Sequence, residues 1–408
     1  MLKDSDTRNI LIIHQHFCPP TGFGNNRSYE VAKNLIARGH RVTILTGSGN
    51  FNQQPSTLFS SQLIEGVQVD CIRVYYSHHM SNIKRVWSFI LFFMYACRLV
   101  WKYKKTVDVI YAVSTPLSIG LVGLWFKKII KKPLFFEIWD LWPDVPIQMG
   151  ILKNTLLIKF LYKIERLIYA KSNHIVLLST GMKEYLLNKN VAATKMTVLF
   201  NGTNIQQFSP SENQSALRAK YNIPSNAFIV LYAGTIGLAN GLEFFVDVAE
   251  KIQQKKYAHI QFYFIGNGNR LLTIKSYVRE KNIGNVVFIE RMPKESIADY
   301  FKLANVGIVS FSPFKILDTN SANKYYDYLA SGLPVLINYG GWQKAALENN
   351  RCGFSASTVT AATDALINLH ADTGLYTQMS ANARALAVKE YDRNEISSQL
   401  HTLILQHS

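Results

Sequence analysis

The chain has 408 residues, 48% of them hydrophobic, and a formal net charge of +17. That length and apolar content suffice for two ordinary domains with full cores and exclude a disordered or fibrous chain. The charge is uneven, with 25 Lys/Arg against 11 Asp/Glu in residues 1–200 and 19 against 16 beyond, so an anionic partner would meet the first half.

The N-terminus, MLKDSDTRNILIIHQHF, places charges where a signal peptide needs an apolar core, which predicts a cytoplasmic protein. The DSD run at Asp4 to Asp6 precedes the first strand and reads as a solvated terminus. Asn9 to His14 is an apolar run of strand length, followed by the loop CPPTGFGNNRS, the amphipathic run NRSYEVAKNLIARGH and the strand RVTILTG. This order predicts an α/β fold with a parallel, doubly wound sheet, because right-handed crossovers need a helix between strands. Gly22 and Gly24 open the first turn. Arg27 replaces the third glycine of a dinucleotide fingerprint, and the second strand ends TGSGN with no acid for a ribose, which disfavours a nicotinamide-dependent oxidoreductase. His14 and His16 share one face of the predicted strand. No third ligand stands near them, so core or cleft histidines are expected rather than a metal pair. Cys18, Cys71, Cys97 and Cys352 form no CxxC pair, which points to a reducing compartment and no structural zinc.

Ser81 to Lys105, SNIKRVWSFILFFMYACRLVWKYKK, has an apolar centre with basic flanks. Its apolar portion falls short of a span of ~20 residues, and Arg98 lies inside its C-terminal end. With LVGLWFKKIIKKP (Leu121 to Pro133) and LLIKFLYKIERLIYAK it supplies the Trp, Phe, Ile and Lys of a monotopic membrane face, in long greasy runs that suit lipid better than nucleic acid. Part of that surface must also be core. PLFFEIWDLWPD (Pro133 to Asp144) reads as a strand whose C-terminal end carries Asp140 and Asp144, at the edge where open α/β sheets hold ligands. Val198 to Pro210 brings Asn, Gly and Pro turn chemistry near mid-chain and reads as the interdomain linker, with domains at 1–203 and 204–390. The second domain opens as strand, Gly-rich loop and helix, FIVLYAGTIGLANGLEFFVDVAEKI, with the N–H groups of Gly234 to Gly237 placed to cradle phosphate.

Asp318 to Gly341, DTNSANKYYDYLASGLPVLINYGG, writes a short helix and a strand. Asn320 and Ser321 are the predicted N-caps, Gly332 the left-handed C-cap, and Pro334 forbids continuation. Ala322, Tyr325, Tyr326, Leu329 and Ala330 form one apolar stripe, which leaves Asn323, Lys324, Asp327 and Ser331 on the opposite face. A lysine in the first turn opposes the helix dipole unless an anion sits there, so Lys324 is a candidate phosphate ligand. Asp327, one turn on, is placed to accept both hydroxyls of a ribose. A half-buried helix with a solvated polar face fits the same pattern, and both readings stay open at this point.

This stretch, together with DLWP, resembles the GT-B glycosyltransferases of family four, in particular the bacterial branch that builds surface polysaccharides. The resemblance covers nearly the whole chain. It implies two Rossmann-like, doubly wound domains facing a cleft, with a C-terminal helix at 391–408 crossing back to the first. It further implies a retaining hexosyl or N-acetylhexosaminyl transferase taking its sugar from a nucleoside diphosphate, UDP more often than GDP. The implied acceptor is a lipid-linked sugar of O-antigen, capsule or exopolysaccharide synthesis at the inner face of the plasma membrane, with no metal or other cofactor.

Carried over by position, the resemblance brings Gly22 and Gly24 to the donor phosphates and acceptor, and Asp140 to the acceptor or sugar. Asp144 is placed to cap the following segment. The histidine that many relatives carry before that aspartate is Trp139 here. Asn320, Ser321, Asn323 and Lys324 would share the phosphate and sugar contacts, with Lys324 easing departure of the diphosphate. Of two family glutamates, the second matches Asp327 and the first falls on Thr319, which carries no charge. The Arg and Lys of the family's diphosphate clamp fall near Thr235 and Asn240, which leaves Lys324 and Arg270 as cations. The backbone around Arg291, from Glu290 to Pro293, would read the base. Two rival readings remain: a nucleotide sugar epimerase on the same scaffold, and a non-catalytic nucleotide-sugar-binding subunit of an assembly complex.

Overall fold

A computed structural model describes residues 7–20, 22, 26–51, 53–77, 80–210, 214–292 and 294–407. Gly24, the DSD run and Pro293 lie outside them. The chain divides into two compact units, residues 1–200 with 394–408, and residues 201–393.

In the first unit the elements run β1 (Asn9–Ile13), α1 (Arg27–Ala37), β2 (Arg41–Gly47), β3 (Phe59–Ile64), β4 (Val67–Ile72), α2 (Asn82–Tyr103), β5 (Val109–Val113) and α3 (Ser118–Ile130). They continue as β6 (Leu134–Ile138), α4 (Asp144–Gln148), α5 (Thr155–Lys171), β7 (His174–Leu177), α6 (Thr180–Asn188) and β8 (Met196–Val198). The sheet order is β3-β4-β2-β1-β5-β6-β7-β8. β5 and β6 are buried along their whole length, so they read as continuous apolar runs rather than alternating ones. The expectation of a parallel sheet holds except at one edge, where β3 pairs antiparallel with β4 across a turn at Glu65 and Gly66. A two-residue turn can close only an antiparallel pair, and β3, with no buried residue, lies uncovered at the edge of the sheet.

Glu137 interrupts the apolar run of β6 and is buried. Arg27, the residue in the third-glycine position, meets it bidentately at 3.1 Å for each N–O pair and donates to the carbonyls of Phe200 (2.7 Å) and Leu199 (3.2 Å). With Tyr111 also on Glu137, that ion pair ties the start of α1 to β6 and to the end of the β8 segment. Removing either charge would strand the other in the core, at a cost of about 3–5 kcal/mol.

The second unit holds α7 (Gln214–Lys220), β9 (Phe228–Ala233), α8 (Glu243–Gln254), β10 (Ile260–Ile265), α9 (Leu271–Glu280), β11 (Val286–Ile289) and α10 (Lys294–Leu303). Then follow β12 (Val306–Val309), α11 (Asn323–Ala330), β13 (Val335–Ile337), α12 (Trp342–Asn349), β14 (Gly353–Ser355), α13 (Val359–Ala371) and α14 (Thr373–Glu390). Its sheet is parallel throughout, in the order β11-β10-β9-β12-β13-β14, over a core that includes Val230, Phe245, Ile252, Phe262, Ile308 and Leu366. The last helix, α15 (Arg393–His407), belongs to the first unit from Asn394 onward and buries Ile396, Leu400 and Ile404 in its core.

Candidate active site

In the second unit the C-terminal edge of the sheet is built from glycine. β9 is followed directly by Gly234 and β10 by Gly266, each with φ +148°, a backbone region that side chains rarely adopt. A Cβ on Gly266 would stand 1.9 Å from the Gly234 carbonyl oxygen, so the two loops can cross only without side chains. They continue the ladder: Gly234 N–H donates to Ile265 (2.9 Å), and Ile236 N–H to Asn267 (2.9 Å). Of the amides from Gly234 to Gly237, two are therefore spent inside the fold. The expected four-amide cradle narrows to Thr235 and Gly237.

Above this edge sits α11. Its N-cap is Ala322 rather than Asn320 or Ser321, and no side chain caps it. The reason is tertiary. Ser321 is buried with its hydroxyl 2.6 Å from the Tyr326 hydroxyl, while its carbonyl accepts from Asn201 Nδ2 (2.6 Å) and the Asn320 carbonyl accepts from Trp342 Nε1 (2.8 Å). Tyr328, which falls outside the predicted apolar stripe, is buried too, and its hydroxyl accepts from the Ala233 amide at 2.9 Å. That bond locks α11 to the end of β9. Ser331 is buried and donates to the Asp327 carbonyl (3.0 Å), so the polar strip narrows to Asn323, Lys324 and Asp327, with Asn323 exposed.

The strip faces the glycine loop. A Cβ on Gly234 would stand 2.9 Å from both Cε and Nζ of Lys324, so the missing side chain is the space that the lysine fills. The ammonium lies 4.5 Å from the centre of the Tyr232 ring and 3.4 Å from its hydroxyl, and burial lowers its pKa to about 8. No carboxylate lies within ion-pair distance of it among the described residues. One turn on, Asp327 is half-buried and accepts from Thr203 Oγ1 at 2.6 Å. The result is an unneutralised cation and an oriented acid on one helix face, at the ligand-holding edge of a parallel sheet.

The other candidates fall around this centre or away from it. Thr235 is exposed, and its carbonyl accepts from the Tyr232 hydroxyl at 2.6 Å. Arg270 is the N-cap residue of α9, beside the second glycine loop, but is paired with Glu243 at 2.6 Å, so it is not the open second cation expected. Arg291 is exposed just past β11. The Thr319 hydroxyl donates to the Ile316 carbonyl (2.7 Å) within a 3-10 turn at Lys315–Thr319.

In the first unit, Gly22 spends its N–H on the Pro19 carbonyl at 2.9 Å, the geometry of a tight turn. Asp140 lies just past β6, half-buried, and burial raises its pKa; among the described residues no side chain pairs with its carboxylate. Its neighbour Trp139 is fixed by Nε1 on Glu137 (2.5 Å) and by its amide on Ser114 Oγ (3.1 Å). Asp144 is buried and does not cap α4, whose N-cap is Pro143; its carboxylate takes the Tyr162 hydroxyl (2.7 Å) and Lys189 Nζ (2.5 Å). β1 ends at Ile13, so His14 and His16 do not share a strand face. His14 is buried 2.9 Å from Ser28 Oγ with its pKa lowered to about 3 by burial, while His16 packs against Tyr76 with the rings tilted by 42°. Among the described residues no group of three His, Cys, Asp or Glu could hold a metal, and none of the four cysteines is joined in a disulfide.

Comparison with known proteins decides what kind of molecule this is. Residues 24–202 match the family described as glycosyl transferase 4-like domain, and residues 213–386 match glycosyl transferases group 1. The chain belongs to the GT-B glycosyltransferases of family four. This glycosyltransferase is 22% identical over 316 residues to the putative colanic acid biosynthesis glycosyl transferase WcaI of Escherichia coli K12, covering 74% of this chain and 76% of that protein. Its fold is similar to sucrose-phosphate synthase from Thermosynechococcus elongatus, with TM-score 0.79, 19% identity and 98% of each chain covered. It is also similar to Anabaena HepE solved with UDP-glucose, with TM-score 0.74, 14% identity, and 98% of this chain and 100% of that one covered.

Proposed function

We propose that this glycosyltransferase moves a hexosyl or N-acetylhexosaminyl group from a nucleoside diphosphate, UDP in preference to GDP, to a lipid-linked acceptor in bacterial surface polysaccharide synthesis, with retention and without a metal. The observation that carries the reading is the Lys324 ammonium, held against Tyr232 and Gly234 with no carboxylate among the described residues to neutralise it. An anion is what such a cation lacks, and a diphosphate lying along α11 would reach Lys324 and the amides of Thr235 and Gly237 while its ribose meets Asp327. The UDP-glucose seen in HepE and the colanic acid role of WcaI support the donor and the pathway class.

In the proposed reaction the bond from the sugar's anomeric carbon to the diphosphate oxygen breaks, and a bond to the acceptor oxygen forms on the same face. The acceptor's proton ends on the departing phosphate. Lys324 and the helix-terminal amides stabilise the charge that develops there, in the place a metal would otherwise take. Asp140, a partly desolvated carboxyl with no side-chain partner among the described residues, orients the acceptor or the sugar hydroxyls.

Mass spectrometry of a lipid-linked oligosaccharide pool incubated with the purified protein and a panel of nucleotide sugars tests this. The expected result is one added sugar residue from one donor. Interconversion of nucleotide sugars without lipid would point to an epimerase, and donor binding without any product to a binding subunit.

A further inference from the structure

In the first unit α2, α3 and α5 follow crossovers that step in the same direction along the sheet, so right-handedness puts all three on one of its faces, where α3 touches both of the others. α2 buries Phe92, Ala96, Val100 and Tyr103, a stripe that packs inward. Its outer side is equally apolar: Ile83 is 72% exposed, Trp87 57%, Met94 60% and Trp101 62%, at spacings of about one helical turn or two. α5 repeats the pattern with Leu156 at 78% and Phe160 at 58%, and Trp125 of α3 is also exposed. A patch of this breadth marks something that covers it.

The charges on these helices have one sign. α2 and α3 contain no acid, and the one acid of α5, Glu165, is buried on Lys189 at 2.8 Å. Lys84, Arg98, Lys128, Lys159, Lys163 and Arg166 are exposed on the same three helices. A second copy of this chain would bring positive charge against positive charge. A surface that is apolar and anionic at once suits both properties, and no helix among the described residues is long and apolar enough to cross a membrane.

We propose that this face docks on an anionic bilayer, with α2 and α5 lying in the interface, their indoles and aliphatic side chains among the acyl chains and their lysines at the lipid phosphates. The surface shares no residue with the donor site, so the proposal stands or falls apart from the transferase reading.

Co-sedimentation of the full chain with vesicles of phosphatidylglycerol and phosphatidylcholine, against phosphatidylcholine alone, tests it. The chain should bind the anionic vesicles only, with a blue shift of tryptophan emission, and release as salt rises. The doubly substituted Trp87→Glu, Met94→Glu chain should keep its melting temperature and lose binding. Lys84→Gln with Lys159→Gln and Lys163→Gln should weaken binding on the order of 100-fold, from roughly fivefold per lysine. Equal binding to neutral vesicles, or unchanged binding by both variants, would overturn the proposal. So would a failure to bind vesicles together with a dimer that Trp87→Glu dissolves, which would give the face to a second copy.

Discussion

Lys324 rests on Tyr232: its ammonium is 4.5 Å from the ring centre and 3.4 Å from the hydroxyl, while that hydroxyl donates its own proton to the Thr235 carbonyl at 2.6 Å. The ring attracts the charge without cancelling it. A lysine held by an aromatic face and hemmed in by a glycine loop keeps its charge for a ligand, which an ion-paired lysine cannot do.

That arrangement has a cost in the empty protein. Burial brings the Lys324 pKa down to about 8 from the ordinary 10.5, so between those values the unfolded chain holds the proton more tightly, and stability rises with pH across that window. Below pH 8 the charged lysine is a net penalty, on the order of 1–3 kcal/mol. Lys324→Met should therefore raise the melting temperature at pH 7 and weaken UDP binding about 10–100-fold, the worth of a charge-assisted contact. Calorimetric melting and titration on the same sample check both signs.

The same ionisation should appear in catalysis. With the lysine required as a cation, kcat/KM for the donor should fall about tenfold per unit above pH 8, and Lys324→Met should flatten that limb. A pH profile with the donor varied at fixed acceptor measures it.

Thr203 Oγ1 donates to Asp327 at 2.6 Å and holds the carboxylate in orientation. Asp327→Ala should raise the donor KM about tenfold or more and remove discrimination against a 2′-deoxyribose donor, whereas Thr203→Val should raise KM less and keep the discrimination. Steady-state kinetics with both donors separates the two roles.

Histidine pairs fasten α15 to the first unit. His40 Nε2 is 2.8 Å from His401 Nδ1, and the rings of His174 and His407 are 4.8 Å apart. Burial first, then His401, Arg8 and Arg38, lowers the His40 pKa to about 4; burial first, then His407 and Lys195, does the same for His174. Both states are neutral above the unfolded pKa of 6.5, so stability is full there. As pH falls from 6.5 to 4 the unfolded chain takes the protons first, and stability drops by on the order of 2 kcal/mol for each buried histidine. Hydrogen exchange should show α15 opening earliest, and His40→Asn with His174→Asn should flatten the pH dependence of melting.

What could be read ahead of the structure was what repeats locally. The spacing of Tyr325, Tyr326 and Leu329, with Pro334 beyond, predicts α11 to within a few residues, and Lys324 and Asp327 do share its polar face. The N-cap was out of reach because Ser321 turns to Tyr326, a partner that only the packed helix supplies. Arg270 reads as a free cation until Glu243, 27 residues earlier, is brought against it. Tyr232 left no signal, since its partner Lys324 lies 92 residues away and a tyrosine in a buried strand reads as core. β3 was hidden for a simpler reason: FSSQLI is too polar to read as a strand until β4 pairs with it.

A crystal structure of the full chain with UDP tests the central claim most directly. The account places a phosphate oxygen within about 3.2 Å of Lys324 Nζ and the ribose hydroxyls at the same reach from the Asp327 carboxylate. A nucleotide bound elsewhere, or bound here with Lys324 still turned to Tyr232 and Asp327 untouched, would contradict it.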